Sequence, residues 1–465
     1  MENLNENIIA CISPPGVGAV GLIRISGNKA ISITNNHFKG KNLENQNSHT
    51  IHFGYLIDSN DRIVDEVLIS IFKAPNSYTK ENTVEISCHG APYIVQKIIS
   101  VFQHAGIRLA KPGEFTQRAF LNGRFDLTQA EAVADLIAAE TESQQTNAIK
   151  QLRGGFSSEL QLLRTELIHF ASLIELELDF SEEDVEFADR KDLKNLIGKL
   201  LFSINGMLES FKFGNVVKNG ITTVLAGRPN AGKSTLLNTL LNEERAIVSE
   251  IAGTTRDVIE EKIVIDGLLF RLIDTAGIRE ATDIIEKIGV KKTYEQIANA
   301  SILLYIFDIN TLTISEIIED LEKLKRKDLK IVLIANKTDL LSKENIDLFK
   351  VNLQKLILDD EISFLAISAL NKNNIAELKK QLVDLSMGGK NMQDQTIITN
   401  SRHYESLLFS KNALQNALSG LDLNNTGDLL ALEIRHALHA LGEITGEITN
   451  NDLLNNIFSK FCIGK

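Results

Sequence analysis

The chain lacks the long apolar segments of a membrane protein. Its longest apolar runs, such as the one that begins at Ser301, fall well short of the roughly 18 to 20 residues that span a bilayer. The N-terminal residues have neither the basic start nor the apolar stretch of a secretory signal. We therefore expect no membrane helix and a cytoplasmic location.

Cysteine is also scarce, and the three cysteines are scattered. Cys11, Cys88 and Cys462 have neither the spacing of a disulfide framework nor that of a metal site. A reducing compartment fits this usage, in agreement with the expected cytoplasmic location.

Positive charge is outweighed by negative charge. The chain has 49 Lys and Arg residues against 61 Asp and Glu residues, which gives a formal net charge of −12 at pH 7. Nucleic-acid binding normally relies on clustered Lys and Arg, and only the stretch from Lys325 is locally basic, as a solvated helix end would also be. Any role with RNA must rest on something other than bulk charge.

The spacing of apolar residues changes along the chain. Short β-type runs fill the first part, helical spacing follows from Leu127, strands resume at Ile221, and helical spacing returns from about Thr396. This predicts a multidomain α/β protein with an N-terminal α+β domain and a discontinuous all-α domain, into which a P-loop α/β domain is inserted. The predicted limits are 1–121 for the α+β domain, 122–217 and 389–465 for the two helical parts, and 218–388 for the inserted domain.

A P-loop identifies the chemistry of the inserted domain. Gly227 is followed, after four residues, by Gly232, Lys233 and Ser234, between an apolar strand and a helix. In that context backbone N–H groups wrap the phosphates, Lys233 reaches the β- and γ-phosphates, and the Ser234 hydroxyl binds Mg²⁺. Taken alone, the segment could also be a Gly-rich turn that opens a helix.

Further motifs follow in the order of a GTPase. AGTTRD supplies a threonine for Mg²⁺, DTAG places Asp274 at a strand end, and NKTD and SAL end two more strands. The Asp339 carboxylate can accept hydrogen bonds that guanine donates and adenine does not. The predicted Mg²⁺ ligands are Ser234 and Thr255. The predicted GTP-binding residues are Asn230, Ala231, Gly232, Lys233, Ser234, Thr235, Ser249, Glu250, Ile251, Ala252, Gly253, Thr254, Thr255, Asp274, Thr275, Ala276, Gly277, Asn336, Lys337, Asp339, Ser368, Ala369 and Leu370.

One catalytic group of many GTPases is missing. The position after DTAG, where Ras-like proteins carry a glutamine that orients the attacking water, is Ile278. Another group must therefore assist hydrolysis. The candidates are Arg228, Arg256 or Arg279 as arginine fingers, the carboxylate of Glu286, or a bound cation.

The whole chain resembles the tRNA modification GTPases of the MnmE (TrmE) family. Beyond the GTPase motifs, the resemblance rests on GLIRISG, VEISCHG, the long segment from Pro112, IVSEIAGTTRD, DTAGIRE and the terminal FCIGK. It implies hydrolysis of GTP with Mg²⁺ and K⁺ once two G domains meet. By the same resemblance, Asn230, Ser249, Ile251 and Thr254 would hold K⁺, and Glu286 would position the hydrolytic water.

The resemblance also implies that the N-terminal domain forms a homodimer and binds 5-formyltetrahydrofolate or a related reduced folate. Arg24, Glu85, Arg124 and Lys465 would face that ligand, although the family usually has lysine where this chain has Arg124. From the residues alone, we would read Arg24 as a solvated charge and Glu85 as a surface residue.

The C-terminal Cys462 admits three interpretations. The family makes it a candidate catalytic thiol, an inert apolar cysteine is the alternative, and the tail is a poor match to a prenylation box.

The family implies a role in tRNA modification at the wobble uridine. Its members install an aminomethyl-type group at C5 together with a flavin- and NADH-dependent partner of the MnmG type, in a heterotetramer or larger complex. Ribosome-assembly and signalling GTPases are the rival classes. The first would be expected to carry an RNA-binding module or a second G domain, and neither is visible in the sequence.

Overall fold

Alternating apolar and polar residues in the first part of the chain form a sheet with one covered face. The computed structural model describes residues 6–179, 189–244, 260–274, 298, 300–326, 328–356, 361–387, 397–423 and 426–464. The first seven strands are β1 Ile8–Cys11, β2 Val20–Ser26, β3 Phe38–Lys39, β4 Thr50–Ile57, β5 Ile63–Phe72, β6 Thr83–His89 and β7 Arg108–Leu109. They form one sheet in the order β3-β4-β5-β6-β2-β1-β7, which is antiparallel except for the β1–β7 pair.

Two helices supply the core on the covered face of this sheet. They are α1 Ala30–Asn36 and α2 Pro92–His104, and α2 opens on a proline whose missing N–H costs nothing there. Ile98 and Phe102 of α2 are fully buried with strand residues such as Ile69. The opposite face carries Arg24 of β2 directly across from Glu85 of β6.

Helix α3 Glu114–Leu121 follows this sheet, within the predicted α+β domain. Among the described residues, the predicted helical stretch then contains α4 Leu127–Ala138, α5 Glu142–Leu152, α6 Gly155–Asp179 and α7 Arg190–Asn219. Gly220 follows α7 with a φ of +73°, a value that favours glycine at a helix end, and the next strand begins at Ile221 as predicted.

The inserted domain is built on a second, mostly parallel sheet. Its strands are β8 Ile221–Ala226, β9 Glu260–Ile265, β10 Leu268–Asp274, β11 Ile302–Asp308, β12 Lys330–Asn336 and β13 Ile362–Ala366. The order is β13-β12-β11-β8-β10-β9, and only β9 runs antiparallel to its neighbour. Its helices are α8 Lys233–Glu244, α9 Ile314–Leu324, α10 Lys343–Leu356 and α11 Ile375–Met387. The nearly continuous burial of β11 is typical of a parallel strand covered on both faces.

Three C-terminal helices complete the helical region. They are α12 Ser401–Asp422, α13 Gly427–Thr445 and α14 Asn451–Phe458. Helix α13 packs along α6, and Leu127 of α4 shares a core with Phe458 of α14. Segments more than 250 residues apart in sequence therefore form one helical region, and the predicted multidomain α/β fold is confirmed.

The chain divides into two compact units. One contains Met1–Ile137, Ile149–Ile204 and Glu405–Lys465, and the other contains Ala138–Ala148 and Asn205–Tyr404. The predicted four-part division is finer and stays a prediction. Among the described residues, no helix combines the length and the apolar character needed to cross a membrane.

Two glycines of α7 provide a matched test of packing. An added Cβ at Gly214 would lie 1.7 Å from the Ile398 carbonyl oxygen, whereas one at Gly206 would meet no atom within 4 Å. We expect Gly214→Ala to lower the free energy of unfolding by about 1–3 kcal/mol because backbone must shift. Gly206→Ala should raise it by about 0.5–1 kcal/mol, since alanine has the higher helix propensity. Thermal unfolding of both variants measures this, and equal midpoints would contradict the packing.

Candidate functional site

Four parallel strands of the second sheet place polar residues at the same edge of that sheet. Strand β8 leads into the P-loop, β10 ends on Asp274, β11 on Asp308 and β12 on Asn336. The carboxyl ends of parallel strands meet at the same edge, which is where open α/β sheets bind ligands. The chain thus gathers residues that are more than 100 positions apart.

The P-loop backbone adopts a curl that side chains would block. Gly227 has a φ of +152°, and an added Cβ there would lie 2.0 Å from the Ile306 carbonyl oxygen. At Gly232, with a φ of +97°, the added atom would lie 2.2 Å from the Asn336 Nδ2 atom. Asn230 also has a positive φ of 61°. The loop therefore has the close-packed cradle that a phosphate chain requires.

Lys233 is folded into this cradle. It is only 7% exposed, and its Nζ atom donates to the carbonyl oxygens of Gly227 at 2.8 Å and Arg228 at 3.0 Å. These contacts hold the ammonium group at the loop, where a phosphate would meet it. The next residues, Ser234 and Thr235, are exposed at the start of α8.

Asn336 ties the P-loop to the SAL segment. Its Nδ2 atom donates to the Ala231 carbonyl oxygen at 2.8 Å, and its Oδ1 atom accepts from the Ala369 N–H at 3.0 Å. The residue is 3% exposed, so both contacts are shielded from water. One side chain therefore sets the spacing between the phosphate-binding and base-binding segments.

The base-binding segments hold each other in place. Asp339 Oδ1 accepts from the Ser368 hydroxyl at 2.6 Å, and the same hydroxyl accepts from the Asn371 N–H at 3.2 Å. Leu370, the last residue of SAL, is 77% exposed. The structure thus brings Asp339 and Ser368, two of the predicted GTP-binding residues, into contact.

Asp308 is a residue of this site that none of the sequence motifs indicated. Its Oδ2 atom lies 2.9 Å from Lys337 Nζ, and Asn310 donates to its Oδ1 atom at 2.9 Å. Burial alone would raise the pKa of Asp308, but the hydrogen bonds from Lys337 and Asn310 hold it below its ordinary value. The signal was present, because Asp308 is the polar residue that ends the apolar run ILLYIFD.

Arg228, one of the candidate arginine fingers, is engaged elsewhere. Its guanidinium contacts Glu316 at 2.6 Å and Asp320 at 2.9 Å, both on α9, and the Tyr305 hydroxyl donates to Asp320. A guanidinium paired with two carboxylates has little net charge to offer a phosphate, so Arg228 is a weak candidate for an arginine finger.

Several predicted residues lie outside the described part of the chain. They are Ser249, Glu250, Ile251, Ala252, Gly253, Thr254, Thr255, Arg256, Thr275, Ala276, Gly277, Arg279, Glu286 and Lys465. Three of the four predicted K⁺ ligands, one of the two predicted Mg²⁺ ligands and one of the four predicted folate contacts are among them. Their roles stay predictions.

A second site lies on the N-terminal sheet. Arg24 Nε donates to Glu85 Oε1 at 2.9 Å, and the Arg24 guanidinium lies 4.7 Å from the ring centre of Tyr78. The guanidinium of Arg124 lies 4.9 Å from the same ring, and burial lowers its pKa, as does the charge of Arg24. The structure therefore gathers three of the four predicted folate contacts around Tyr78, which the sequence analysis did not single out.

The C-terminal tail returns to the N-terminal domain. The Gly113 N–H donates to the Cys462 carbonyl oxygen at 3.4 Å, and Ile463 forms a β-bridge with Pro112. Gly464 has a φ of +98°, and an added Cβ would lie 2.4 Å from the Cys11 carbonyl oxygen. Cys462 is exposed, and its role, as a catalytic thiol or an inert cysteine, stays a prediction. Cys88 is the buried one, and burial raises its pKa to about 11.

Two family models match the chain and together cover most of it. The model described as "GTP-binding protein TrmE N-terminus" matches residues 7–124, and the one described as "MnmE helical domain" matches residues 127–462. The second match spans more than half of the chain.

Relatives match over the full length. A protein named tRNA modification GTPase MnmE from Cytophaga hutchinsonii is 52% identical to this chain. The match covers 100% of this chain and 99% of that protein. One of the same name from Flavobacterium psychrophilum is 50% identical and covers 99% of each. A solved structure of an Aquifex aeolicus Era variant bound to GDP.AlF4− is 25% identical, with a TM-score of 0.30, and covers 41% of this chain and 66% of that one.

The Asn336 link yields a direct prediction. Asn336→Ala leaves the Ala231 carbonyl and the Ala369 N–H without their partner, and a buried unpaired polar group costs about 1–3 kcal/mol. We expect the affinity for GDP to fall at least about tenfold, as measured with a fluorescent GDP analogue. Asn345→Ala, at an exposed position on α10, is the matched control and should bind as the unaltered chain does. Equal affinity in both variants would refute the role of the link.

Proposed function

This chain belongs to the MnmE family of tRNA modification GTPases, and on that premise we propose that it hydrolyses GTP to drive modification of the wobble uridine of certain tRNAs. The main support for the GTPase part of this proposal is the pair of hydrogen bonds made by Asn336. They join the P-loop to the segment whose Ser368 contacts Asp339, the proposed guanine-binding residue. The Asp339 carboxylate suits guanine, whose ring N–H and exocyclic amine are donors.

Mg²⁺ fits the residues at the edge of the second sheet. Ser234 offers an exposed hydroxyl at the start of α8, and Asp274 ends the neighbouring strand β10. We propose that Ser234 and Thr255 ligate the ion directly and that Asp274 holds it through water, as in other P-loop proteins. When bound, Mg²⁺ neutralises charge that develops on the phosphates.

For hydrolysis we propose K⁺ assistance in a dimer of G domains. Asn230, Ser249, Ile251 and Thr254 would hold the cation, and Glu286 would position the water. Two observations support this assignment. The residue after DTAG is the apolar Ile278, and Arg228 is already paired with two carboxylates. A cation at the phosphates would supply the electrostatic stabilisation that an arginine finger gives elsewhere.

The N-terminal pocket fits an anionic ligand with a polar ring system. We propose that it takes 5-formyltetrahydrofolate or a related reduced folate through Arg24, Glu85, Arg124 and Lys465, as the one-carbon source. The arrangement of Arg24, Glu85 and Arg124 around Tyr78 supports this. The exposed Cys462 stays a candidate catalytic thiol of this site.

We further propose a cytoplasmic homodimer that acts with a flavin- and NADH-dependent partner in a heterotetramer or larger complex on tRNA. The net charge of −12 supports a division of labour in which the partner supplies most of the tRNA-binding surface. The product would be an aminomethyl or carboxymethylaminomethyl group at C5 of the uridine.

The tRNA assignment is tested by nucleoside analysis. We expect tRNA from cells lacking this protein to lose the C5 modification at the wobble uridine, and expression of the unaltered chain to restore it. A P-loop variant, Lys233→Ala, is the control and should fail to restore it, because the lysine that meets the phosphates is gone. Unchanged wobble uridines would favour the ribosome-assembly or signalling alternative and leave the GTPase assignment intact.

The cation assignment is tested by comparing salts. GTP hydrolysis should be faster in K⁺ than in Na⁺ at equal ionic strength, and Asn230→Ala should remove that difference because a proposed ligand is lost. If the rates match in both salts for the unaltered chain, the catalytic role falls to Arg256 or Arg279.

A further inference from the structure

The pocket beside Tyr78 is positively charged in a chain whose net charge is −12. It has a volume of about 470 Å³ and is lined by His49, Lys80, Glu85 and Arg124, among others. Glu85 is the one acidic residue of that lining, and its Oε1 atom is already paired with Arg24. The pocket lining therefore has an excess of cations, whereas the whole chain has an excess of acidic residues.

A clasp of three hydrogen bonds between two segments holds Lys80 and Arg124 at the pocket. Lys80 Nζ donates to the Gly123 carbonyl oxygen at 2.8 Å, and Arg124 Nη1 donates to the Ser77 carbonyl oxygen at 2.8 Å. Between them, Asn122 Nδ2 donates to the Thr79 carbonyl oxygen at 2.7 Å. These three hydrogen bonds join residues 77–80 to residues 122–124 and fix Lys80 beside Arg124 at the pocket.

Lys80 and Arg124 both contact uncharged groups. In the part of the chain that the structure describes, their side chains contact backbone carbonyl oxygens but no carboxylate. An anionic ligand would supply the counter-charge that these two cations lack among the described residues. The backbone adds a second feature, since Lys80 has a positive φ of 58°, a conformation that glycine would adopt with less strain.

We propose that Lys80 is a further binding residue of this pocket and that, with Arg124, it recognises carboxylates at the glutamyl end of the ligand, so that reduced folates with several γ-linked glutamates bind best. The inference rests on the proposed folate function and adds to it a residue and a ligand class. Glu85 suits the other end of the ligand, because its Oε2 atom has no partner among the described residues and can accept from ring N–H donors. Each added glutamate contributes a carboxylate, which an uncompensated ammonium group attracts.

Calorimetric titration of the full-length protein tests the proposal. The probes are 5-formyltetrahydrofolate with one glutamate and the same compound with three γ-linked glutamates. The unaltered chain should bind the triglutamate about three- to tenfold more tightly, which is the range expected for one partly exposed charge pair. Higher salt should narrow this preference, because the attraction is screened.

Lys80→Gly is the decisive variant. Glycine accepts the positive φ without strain, so the fold should persist and thermal unfolding checks this. We expect the preference for the triglutamate to fall below about twofold. Lys80→Arg should restore it because the charge returns. Lys73→Ala is the matched control: its Nζ atom donates to the Glu44 carbonyl oxygen on the surface and it does not line the pocket, so the preference should stay.

Three outcomes would overturn the proposal. The first is equal affinity of the unaltered chain for both folates. The second is an unchanged preference in Lys80→Gly. Either of these leaves the proposed folate function intact. The third is that the unaltered chain binds neither folate, in which case the folate function fails and the role of Lys80 fails with it.

Discussion

The side chain of Asn336 is the contact on which the geometry of the nucleotide site depends. It is the last residue of β12, and its amide pairs with the P-loop on one side and with the SAL segment on the other. Neither loop has a regular structure that would fix its distance from the other. Because the amide is almost fully buried, neither partner can exchange it for water without cost. The close approach of Gly232 to the same Nδ2 atom explains why the P-loop carries a glycine there.

Charge in this protein is organised locally rather than over the whole surface. Arg228 is held by two carboxylates on α9, and Lys337 is held by Asp308, so each of these two cations near the nucleotide site already has a counter-charge. In the N-terminal pocket, by contrast, Lys80 and Arg124 contact backbone oxygens, and Arg124 also contacts the Tyr78 ring. Neither contacts a carboxylate of the described residues. The net charge of −12 therefore says little about either site, since binding depends on which cations the fold leaves without a counter-charge.

Sequence reasoning succeeded where a function is carried by a contiguous motif. The P-loop and the strand that begins at Ile221 follow from local patterns. It missed contacts made between distant segments. Arg228 and Asp320 are 92 positions apart, and the two sides of the clasp at Lys80 and Gly123 are 43 apart. No local pattern signals such pairs, because they exist only once the strands and helices have packed.

The same reasoning could not foresee that residues Ala138–Ala148 belong to the unit of the inserted domain. Within that unit, Glu140 pairs with Lys262 of the edge strand β9 at 2.7 Å, and Gln144 donates to the Lys218 carbonyl oxygen at 3.0 Å. A partly exposed ion pair is worth little by itself, so the hydrogen bond to the backbone is the firmer of these two contacts. Helical periodicity marks which face of a helix is buried but not which domain it is buried against.

The β9–β10 hairpin places two strand ends beside the strand that leads into the P-loop. Glu260, the first residue of β9, pairs with Ile273, and Asp274 of β10 pairs with Leu225 of β8. The segment with AGTTRD ends just before Glu260, and the rest of DTAG begins just after Asp274. Glu260 and Asp274 therefore lie at the same end of one hairpin, beside the strand that leads into the P-loop. Arg271 and Glu260 also pair across the hairpin and add a cross-strand contact between β9 and β10.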